Sequence, residues 1–223
     1  MDLFLAMNGS IRRLAHIRRY SSLQVNRPEN VAEHSFYVAF TAYQKAKDIL
    51  FRIPNAACHP DHVAVMALMH DISEAKSGDI IHSFKNLSSE LKDAIKEGDK
   101  LATREMVDEE FGSTKDSIYE IWNKAKEMGL DGQIVKFADF LSVIAYCREE
   151  WLAGNRHLEN EDVLERAYEN VKLFWGSDKY LGYYVDQIFP NDDYRDAYRS
   201  IDDTYYEEPT RLMQLPGYSQ VRM

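Results

Sequence analysis

The stretch that decides the fold is residues 131–155, DGQIVKFADFLSVIAYCREEWLAGN. Apolar side chains cover nearly the whole circumference of a helix in this stretch, and a helix that is apolar all round lies buried in a protein core. These residues are Ile134, Phe137, Ala138, Phe140, Leu141, Val143, Ile144 and Ala145. We therefore predict that this segment is the central helix of the protein.

The rest of the chain repeats its apolar residues at helical spacing, and no short segment alternates apolar and polar residues as a strand would. We predict an all-α protein. The predicted helices cover about residues 2–19, 30–51, 60–77, 87–110, 114–128, 131–154, 160–174 and 178–189. Asn30 and Glu33 have the spacing of a capping box, so Glu33 is interpreted as a cap and not as a catalyst.

The length of the chain indicates one domain. Its 223 residues, 45% of them hydrophobic, are enough for a single sizeable core. We predict one helical-bundle domain over residues 1–190. Residues 191–223 are rich in Asp, Tyr and Pro and lose the helical periodicity, which predicts a tail that packs on the surface, contacts a partner subunit or is partly disordered.

The charge and the cysteine content restrict the class of protein. The formal net charge of −10 argues against binding to duplex nucleic acid, which needs a surplus of Lys and Arg on one face. The two cysteines, Cys58 and Cys147, do not suggest a disulfide framework. The apolar run near the N-terminus is too short for a signal peptide or a membrane span. We expect a cytoplasmic protein that does not bind membranes.

Asp139 lies in the middle of the apolar central helix. An isolated carboxylate in such a place costs several kcal/mol or changes its protonation state, so it needs a cation or several hydrogen-bond donors. One interpretation is a buried salt bridge with Arg or Lys. The other interpretation is that Asp139 binds a metal ion.

A second polar group follows the apolar segment HVAVMALM. His70 and Asp71 come directly after it, and Glu74 is predicted one helical turn beyond His70 on the same face. Gly78 is predicted to end this helix and to bring Asp79 back toward the same end. A location on the surface is the alternative interpretation of these residues.

His34 adds a third polar group, because it lies in the capped helix among Phe36, Val38 and Phe40. Two imidazoles and two carboxylates suit a divalent ion of borderline hardness, such as Mn, Co, Fe or Zn, with positions left for water and substrate. We therefore predict a metal site with four ligands, which are His34, His70, Asp71 and Asp139.

Three stretches of the sequence carry a family resemblance: RYSSLQVNRPENVAEHS (19–35), ALMHDISEAKSGDI (67–80) and IVKFADFLSVIAYCREEWLAGN (134–155). In this order they resemble the HD-domain phosphohydrolases, and most closely the bacterial 5'-deoxynucleotidases of the YfbR type. The resemblance implies a helical HD fold, one divalent ion (Co, Mn, Zn, Fe or Mg), a homodimer and hydrolysis of deoxynucleoside 5'-monophosphates.

The resemblance also implies roles for individual residues besides the four ligands. Glu74 matches the residue that orients or deprotonates the attacking water, and Asp79 matches a second acid that handles the leaving 5' oxygen or the sugar. Arg19 and Tyr20 stand where the family has Arg-Trp, so Arg19 is expected to bind phosphate and Tyr20 to crowd a 2'-hydroxyl. Lys85 is expected to add positive charge for the phosphate.

Two other functions stay open on the sequence. A deoxynucleoside triphosphate triphosphohydrolase, similar to the small phage HD enzymes, would use the same ligands on a longer phosphate chain, with a second ion at Glu74 and Asp79. A non-catalytic nucleotide-binding protein would be expected to lack a ligand or the water-activating acid, and this chain lacks neither.

Overall fold

A computed structural model describes residues 9–127, 129–155, 157–160, 163–174, 180–182 and 184. This part of the chain is helical and contains no β-strand, which confirms the all-α prediction. An isolated β-bridge joins Arg18 to Asn30. The predicted tail over 191–223, and all of the predicted helix over 178–189 except residues 180–182 and 184, lie outside the described residues.

The helices of the described residues follow one another with short connections. They are α1 (Val31–Arg52), α2 (Pro60–Met69), α3 (Glu74–Ser77), α4 (His82–Lys85), α5 (Ser89–Glu110), α6 (Lys115–Lys124), α7 (Leu130–Leu152), α8 (His157–Asn160) and α9 (Val163–Lys172). Two 3-10 helices lie at Ser10–His16 and Gly112–Thr114. Helix α7 packs against α1, α2 and α9, and α1 also packs against α2.

The start of α1 is fixed by a capping box, as predicted. Asn30 Oδ1 accepts a hydrogen bond from the backbone N–H of Glu33 at 2.9 Å, and Glu33 Oε2 accepts one from the N–H of Asn30 at 3.3 Å. The pair satisfies two N–H groups that have no partner inside the helix. This cap places His34 in the first turn of α1.

Helix α7 is central, as predicted, but it is not buried on every side. Ile134, Phe137 and Ala138 are fully buried, and the Phe137 ring packs edge-on against Phe174 at 5.4 Å between centroids. Ala145 is exposed. The other predicted core positions of this helix are only partly buried: Phe140, Leu141, Val143 and Ile144. One face of α7 therefore reaches the surface.

The predicted helix over 60–77 is interrupted between α2 and α3. The backbone N–H groups of His70, Ile72 and Glu74 bond to carbonyls three residues earlier, so the chain is wound more tightly than an α-helix. The His70 ring bonds to the carbonyl of Ala67 at 2.6 Å, at the end of α2. The prediction that Glu74 lies one α-helical turn beyond His70 in a continuous helix is wrong for this reason.

The predicted helix over 2–19 is only partly confirmed, because its described residues form a short 3-10 helix instead of an α-helix that continues to residue 19. Residues 10–16 form a 3-10 helix, and the chain then runs extended beside the segment that precedes α1. The N–H of Arg19 donates to the carbonyl of Glu29 at 2.9 Å, and the N–H of Val31 donates to the carbonyl of Ile17 at 3.0 Å. This pairing holds Arg19 beside the start of α1. Residues 1–8 lie outside the described residues.

Two further observations bear on the class of protein. Cys58 and Cys147 are both buried, and they do not form a disulfide with each other. Among the described helices, none is both long enough and apolar enough to cross a bilayer.

Gly132 and Gly98 should respond in opposite ways to substitution by Ala. A Cβ at Gly132 would lie 2.1 Å from the backbone oxygen of Glu127, so Gly132→Ala must displace the start of α7 and should lower the free energy of unfolding by roughly 1–3 kcal/mol. Gly98 lies in exposed α5 with no described atom within 4 Å, so Gly98→Ala should raise it by about 0.5–1 kcal/mol. Urea unfolding followed by circular dichroism measures both, and a change of the same sign in both variants would contradict the close approach at Gly132.

Candidate metal centre

Three side chains from two parts of the fold form a compact group, and a fourth side chain contacts it. His34 comes from α1, His70 and Asp71 from the turn after α2, and Asp139 from α7. One ligand atom from each of His34, His70 and Asp71 lies within 4.8 Å of the others. Asp139 joins this group through His34, because its Oδ1 is 3.2 Å from His34 Nε2. The structure therefore brings the four predicted ligands together.

The surroundings of the two histidines fit a metal ion. His70 Nδ1 donates to the carbonyl of Ala67, so Nε2 is the ring nitrogen that remains to bind an ion. That Nε2 is buried 3.0 Å from Asp71 Oδ2, yet no group among the described residues is aligned with it for a hydrogen bond. His34 Nδ1 lies 3.3 Å from the Ser142 hydroxyl, which can accept from it when Nε2 binds an ion. Two such nitrogens with two carboxylates are a suitable donor set for a divalent transition metal.

Asp139 has partners that support both interpretations of its burial. Its Oδ2 accepts a hydrogen bond from Lys136 Nζ at 2.8 Å, and its Oδ1 faces His34 Nε2. Burial raises the pKa of Asp139, but the charge of Lys136 and the hydrogen bond with His34 lower it well below its ordinary value. The salt bridge occupies one oxygen of the carboxylate and leaves the other directed toward the ligand group.

Burial and charge act differently on the two histidines. Burial and the charge of Arg19 lower the pKa of His34 to about 4, so this ring is neutral at pH 7. Burial also lowers the pKa of His70, but the negative charge of Asp71, whose Oδ2 lies 3.0 Å from His70 Nε2, outweighs it and the pKa is raised. His70 in turn holds the pKa of Asp71 below its ordinary value despite burial. A bound cation would take the place of the proton that His70 and Asp71 stabilise together.

Glu74 and Asp79 concentrate negative charge beside the ligands. Gly78 takes a φ of 73° after α3, which most side chains avoid, and this turn leads into Asp79. Burial and the charges of Asp71 and Asp79 raise the pKa of Glu74 to about 9. Burial also raises the pKa of Asp79, with a further contribution from Asp71. These carboxyl groups therefore lie within electrostatic reach of one another.

Arg19 and Lys85 bring positive charge to the same acids. The pKa values of Glu74 and Asp79 are raised overall, but the positive charges of Arg19 and Lys85 offset part of this rise. Arg19 Nη1 is held by Glu29 Oε2 at 3.2 Å, and Glu29 Oε2 also lies 3.9 Å from His34 Nδ1. The structure therefore places both predicted phosphate-binding residues near the predicted acids.

Glu29 is a site residue that the sequence analysis missed. It is buried, it orients Arg19, and burial raises its pKa to about 6 although Arg19 lowers it. The only sign of Glu29 in the sequence was its position directly before Asn30, inside the matching stretch RPENVAEHS. The sequence did not indicate that the Glu29 side chain pairs with Arg19, ten residues earlier.

Tyr20 packs into the protein beside Arg19. Its backbone has a φ of 55°, and its N–H donates to Asp79 Oδ2 at 3.3 Å. Its ring stacks on Tyr146 at 5.1 Å with an interplanar angle of 5°. The Tyr20 hydroxyl is buried and has no hydrogen-bond partner among the described residues. The structure thus ties the backbone of Tyr20 to Asp79.

Comparison with known proteins gives one consistent family. Residues 4–191 match the family model described as 5'-deoxynucleotidase YfbR-like. The 5'-deoxynucleotidase YfbR of Salmonella arizonae is 31% identical over 149 residues, which cover 67% of this chain and 74% of that protein. The protein of the same name from Shigella dysenteriae is 28% identical over 181 residues, which cover 81% of this chain and 88% of that protein.

Solved structures agree at the level of the fold. An HD-domain phosphohydrolase from Listeria innocua superposes with a TM-score of 0.72 at 20% identity, over 91% of this chain and 96% of that one. The HD phosphohydrolase DatZ of cyanophage S-2L, solved with dA and one catalytic Zn²⁺, superposes with a TM-score of 0.55 at 15% identity, over 87% of this chain and 95% of that one. The predicted helical HD fold is confirmed.

Divalent cations should stabilise the protein through His70. Mn²⁺, Co²⁺ or Zn²⁺ at about 100 times its Kd should add about 2.7 kcal/mol to the free energy of unfolding, and EDTA should reverse the gain. His70→Ala should remove most of this gain, whereas His157→Ala, which changes an exposed histidine on α8, should keep it. Thermal unfolding with and without metal measures the effect, and an equal gain in His70→Ala would exclude His70 as a ligand.

Glu74→Gln should stabilise the metal-free protein in a manner that depends on pH. Because the folded-state pKa of Glu74 is about 9 against an ordinary value of 4.5, the wild type loses stability as the pH rises between these values. Gln mimics the protonated acid, so the melting temperature of Glu74→Gln should exceed that of wild type increasingly from about pH 4.5 to about pH 9.

Differential scanning fluorimetry in the presence of EDTA measures this difference. Glu97→Gln, which removes an exposed carboxylate on α5, is the matched control and should show no such trend. A difference between Glu74→Gln and wild type that stays constant with pH would show that Glu74 is not buried among like charges.

Proposed function

Since the chain belongs to the YfbR-like 5'-deoxynucleotidase family, we propose that it removes the 5'-phosphate from deoxynucleoside 5'-monophosphates with the help of a divalent metal ion. The observation that carries this proposal is the compact group of His34, His70 and Asp71, with Asp139 beside it, in buried surroundings. A phosphomonoester dianion repels hydroxide, so its hydrolysis needs concentrated positive charge at the phosphoryl group.

The metal ion is proposed to be held by His34, His70, Asp71 and Asp139. When bound there, it supplies positive charge against the phosphoryl oxygens and lowers the pKa of a water molecule. Two nitrogen and two oxygen donors favour Zn²⁺, Mn²⁺, Co²⁺ or Fe²⁺ over Mg²⁺, which prefers an all-oxygen shell.

Arg19 is proposed to bind the phosphate of the substrate. Its guanidinium is planar and always charged, and it can donate two parallel hydrogen bonds to phosphate oxygens. The ion pair with buried Glu29 fixes one edge of the group, which reduces the entropy that is lost when phosphate binds. Lys85 is proposed to add a second positive charge on the side of Glu74 and Asp79.

Glu74 and Asp79 are proposed to move the protons of the reaction. Glu74 takes a proton from water while the water oxygen forms a bond to phosphorus and the bond from phosphorus to the 5' oxygen breaks. Asp79 gives a proton to that leaving oxygen, so the products are a deoxynucleoside and inorganic phosphate. The raised pKa of Asp79 supports its role, since it keeps the proton that the leaving oxygen needs to a higher pH than an ordinary carboxyl group does. For Glu74, the positive charge of a bound ion would lower the pKa from about 9 toward the range in which the carboxylate can accept a proton.

Tyr20 is proposed to crowd the 2' position of the sugar. The hydrogen bond from its N–H to Asp79 couples the aromatic residue to the acid that serves the leaving group. Stacking on Tyr146 limits the movement of its ring. A ribose would therefore meet a ring that cannot easily move aside.

The protein is proposed to be cytoplasmic, on the basis of its family and of its two cysteines. Cys58 and Cys147 are buried and do not form a disulfide with each other, which is compatible with a reducing cytoplasm. A homodimer is proposed by analogy with the family alone.

Phosphate release from mono-, di- and triphosphates of deoxynucleosides and ribonucleosides tests the proposed function. With Mn²⁺, Co²⁺, Zn²⁺ and Mg²⁺ supplied in parallel, wild type should release inorganic phosphate from deoxynucleoside 5'-monophosphates. Glu74→Ala should lower kcat by about a hundredfold or more, and Glu97→Ala should leave it unchanged. Release of tripolyphosphate would favour a triphosphohydrolase, and nucleotide binding without turnover would favour a non-catalytic protein.

Replacing Tyr20 should change the preference between sugars. Tyr20→Ala should raise kcat/KM for ribonucleoside monophosphates relative to the deoxy substrates by about tenfold, since a removed steric contact is worth about 1–3 kcal/mol. Tyr20→Phe should keep the wild-type ratio, because the buried hydroxyl is not directed at a described partner. An unchanged ratio in Tyr20→Ala would remove the assigned role.

A further inference from the structure

The ammonium group of Lys136 lies at the rim of the metal centre. Its Nζ is 2.8 Å from Asp139 Oδ2 and 4.5 Å from the centroid of the Phe140 ring. The Lys136 side chain is 56% exposed, whereas the side chain of Asp139 is only 15% exposed. The Lys136 ammonium group is therefore hydrogen-bonded to a candidate metal ligand, while much of the Lys136 side chain remains exposed to solvent.

Lys136 does not occupy the oxygen of Asp139 that faces the other ligands. That oxygen, Oδ1, lies 3.2 Å from His34 Nε2, and Lys136 bonds to the opposite oxygen, Oδ2. An ammonium group has three N–H donors, and the hydrogen bond to Asp139 uses one of them. Lys136 can therefore stay bonded to Asp139 and still donate to another anion.

The other cations around this centre come from different elements. Arg19 precedes α1 and Lys85 ends α4, whereas Lys136 belongs to α7. The charges of Lys85 and Lys136 both act on exposed His82, where burial and neighbouring cations lower the pKa. Lys136 is therefore within electrostatic reach both of the ligand Asp139 and of exposed His82, which follows Asp79 in the chain.

We propose that Lys136 binds the phosphoryl group of the substrate while it holds Asp139. One N–H stays on Asp139 Oδ2, and the others donate to phosphate oxygens, so that Lys136 fixes the ligand carboxylate and the phosphoryl group relative to each other. This inference rests on the proposed function. It assigns to Lys136 the binding of a phosphomonoester dianion and of the phosphate product.

A purely structural role makes a different prediction. If Lys136 only neutralised and oriented Asp139, its removal would weaken metal binding, and phosphate binding would fall as a consequence. If Lys136 binds phosphate, removal of a positive charge beside a ligand leaves metal affinity equal or higher, and phosphate affinity falls by itself. The two equilibria therefore need separate measurement.

Lys136→Met is the main test variant, because Met keeps an unbranched apolar stem beside Phe140. Isothermal titration with Mn²⁺ should give a Kd no weaker than that of wild type. Titration of the Mn²⁺-loaded protein with inorganic phosphate should give a Kd about tenfold weaker, as expected for one lost hydrogen bond between charged groups. Lys136→Arg should recover most of the phosphate affinity.

Steady-state kinetics provide a second readout. In Lys136→Met, KM for a deoxynucleoside monophosphate should rise about tenfold, as expected for a lost charged contact, with a smaller change in kcat. Lys92→Met is the matched control, since Lys92 is exposed, acts on the same His82 and belongs to α5. It should change KM by less than about twofold, since exposed charges at a distance are screened.

Three results would overturn the inference. These are loss of Mn²⁺ binding together with phosphate binding in Lys136→Met, an unchanged phosphate Kd in that variant, and no phosphate binding by the Mn²⁺-loaded wild type. Lys136→Gln supplies a second variant if Lys136→Met does not fold. Because phosphate binding is measured without turnover, the role of Lys136 is decided even if deoxynucleoside monophosphates prove not to be substrates.

Discussion

The charge of Asp139 is the constraint on which the rest of the site depends. A carboxylate in the central helix of a small protein is stable only if positive charge or hydrogen-bond donors meet both of its oxygens. Here one oxygen meets Lys136 and the other meets a neutral, buried His34. The second contact becomes strongly favourable when a cation lies between the two groups. The packing of α1 against α7 therefore forms part of the core and also brings His34 and Asp139 together at a position that favours a bound cation.

The acids beyond the ligand group extend the same principle. Asp71, Glu74 and Asp79 would repel one another if all were ionised, and burial together with this repulsion raises the pKa of Glu74. Arg19 offsets part of it, and Glu29 fixes Arg19 by a further ion pair. The centre is thus a set of positive and negative charges in which each group shifts the pKa of its neighbours. Such coupling is expected where proton transfer is the task of the site.

The four proposed ligands could be selected from the sequence because those residues stand out from their local surroundings. Asp139 interrupts an apolar helix, and His70 and Asp71 follow another apolar run. In both places the sequence shows a polar side chain where an apolar one is expected. Glu29 and Lys136 lack this contrast, because Glu29 lies in a polar turn and Lys136 in the stretch IVKFAD looks like an ordinary surface lysine. Glu29 contacts Arg19 through the fold of the chain, and Lys136 contacts Asp139 three residues along the same helix. Neither contact is visible from the local composition of the sequence. The extended segment at 17–19 was missed for a similar reason, since its partners lie at 29–31.

The early end of α2 at Met69 has a consequence for the electrostatics of the backbone. The carbonyl groups at the end of a helix carry a net partial negative charge of about half an electron, and His70 and Asp71 follow directly after this end. Peptide dipoles do not titrate and are not removed when a side chain is substituted. A continuous helix over 60–77 would have carried that partial charge a further two turns away. Because the helix ends early, the main chain itself attracts cations to the candidate metal centre.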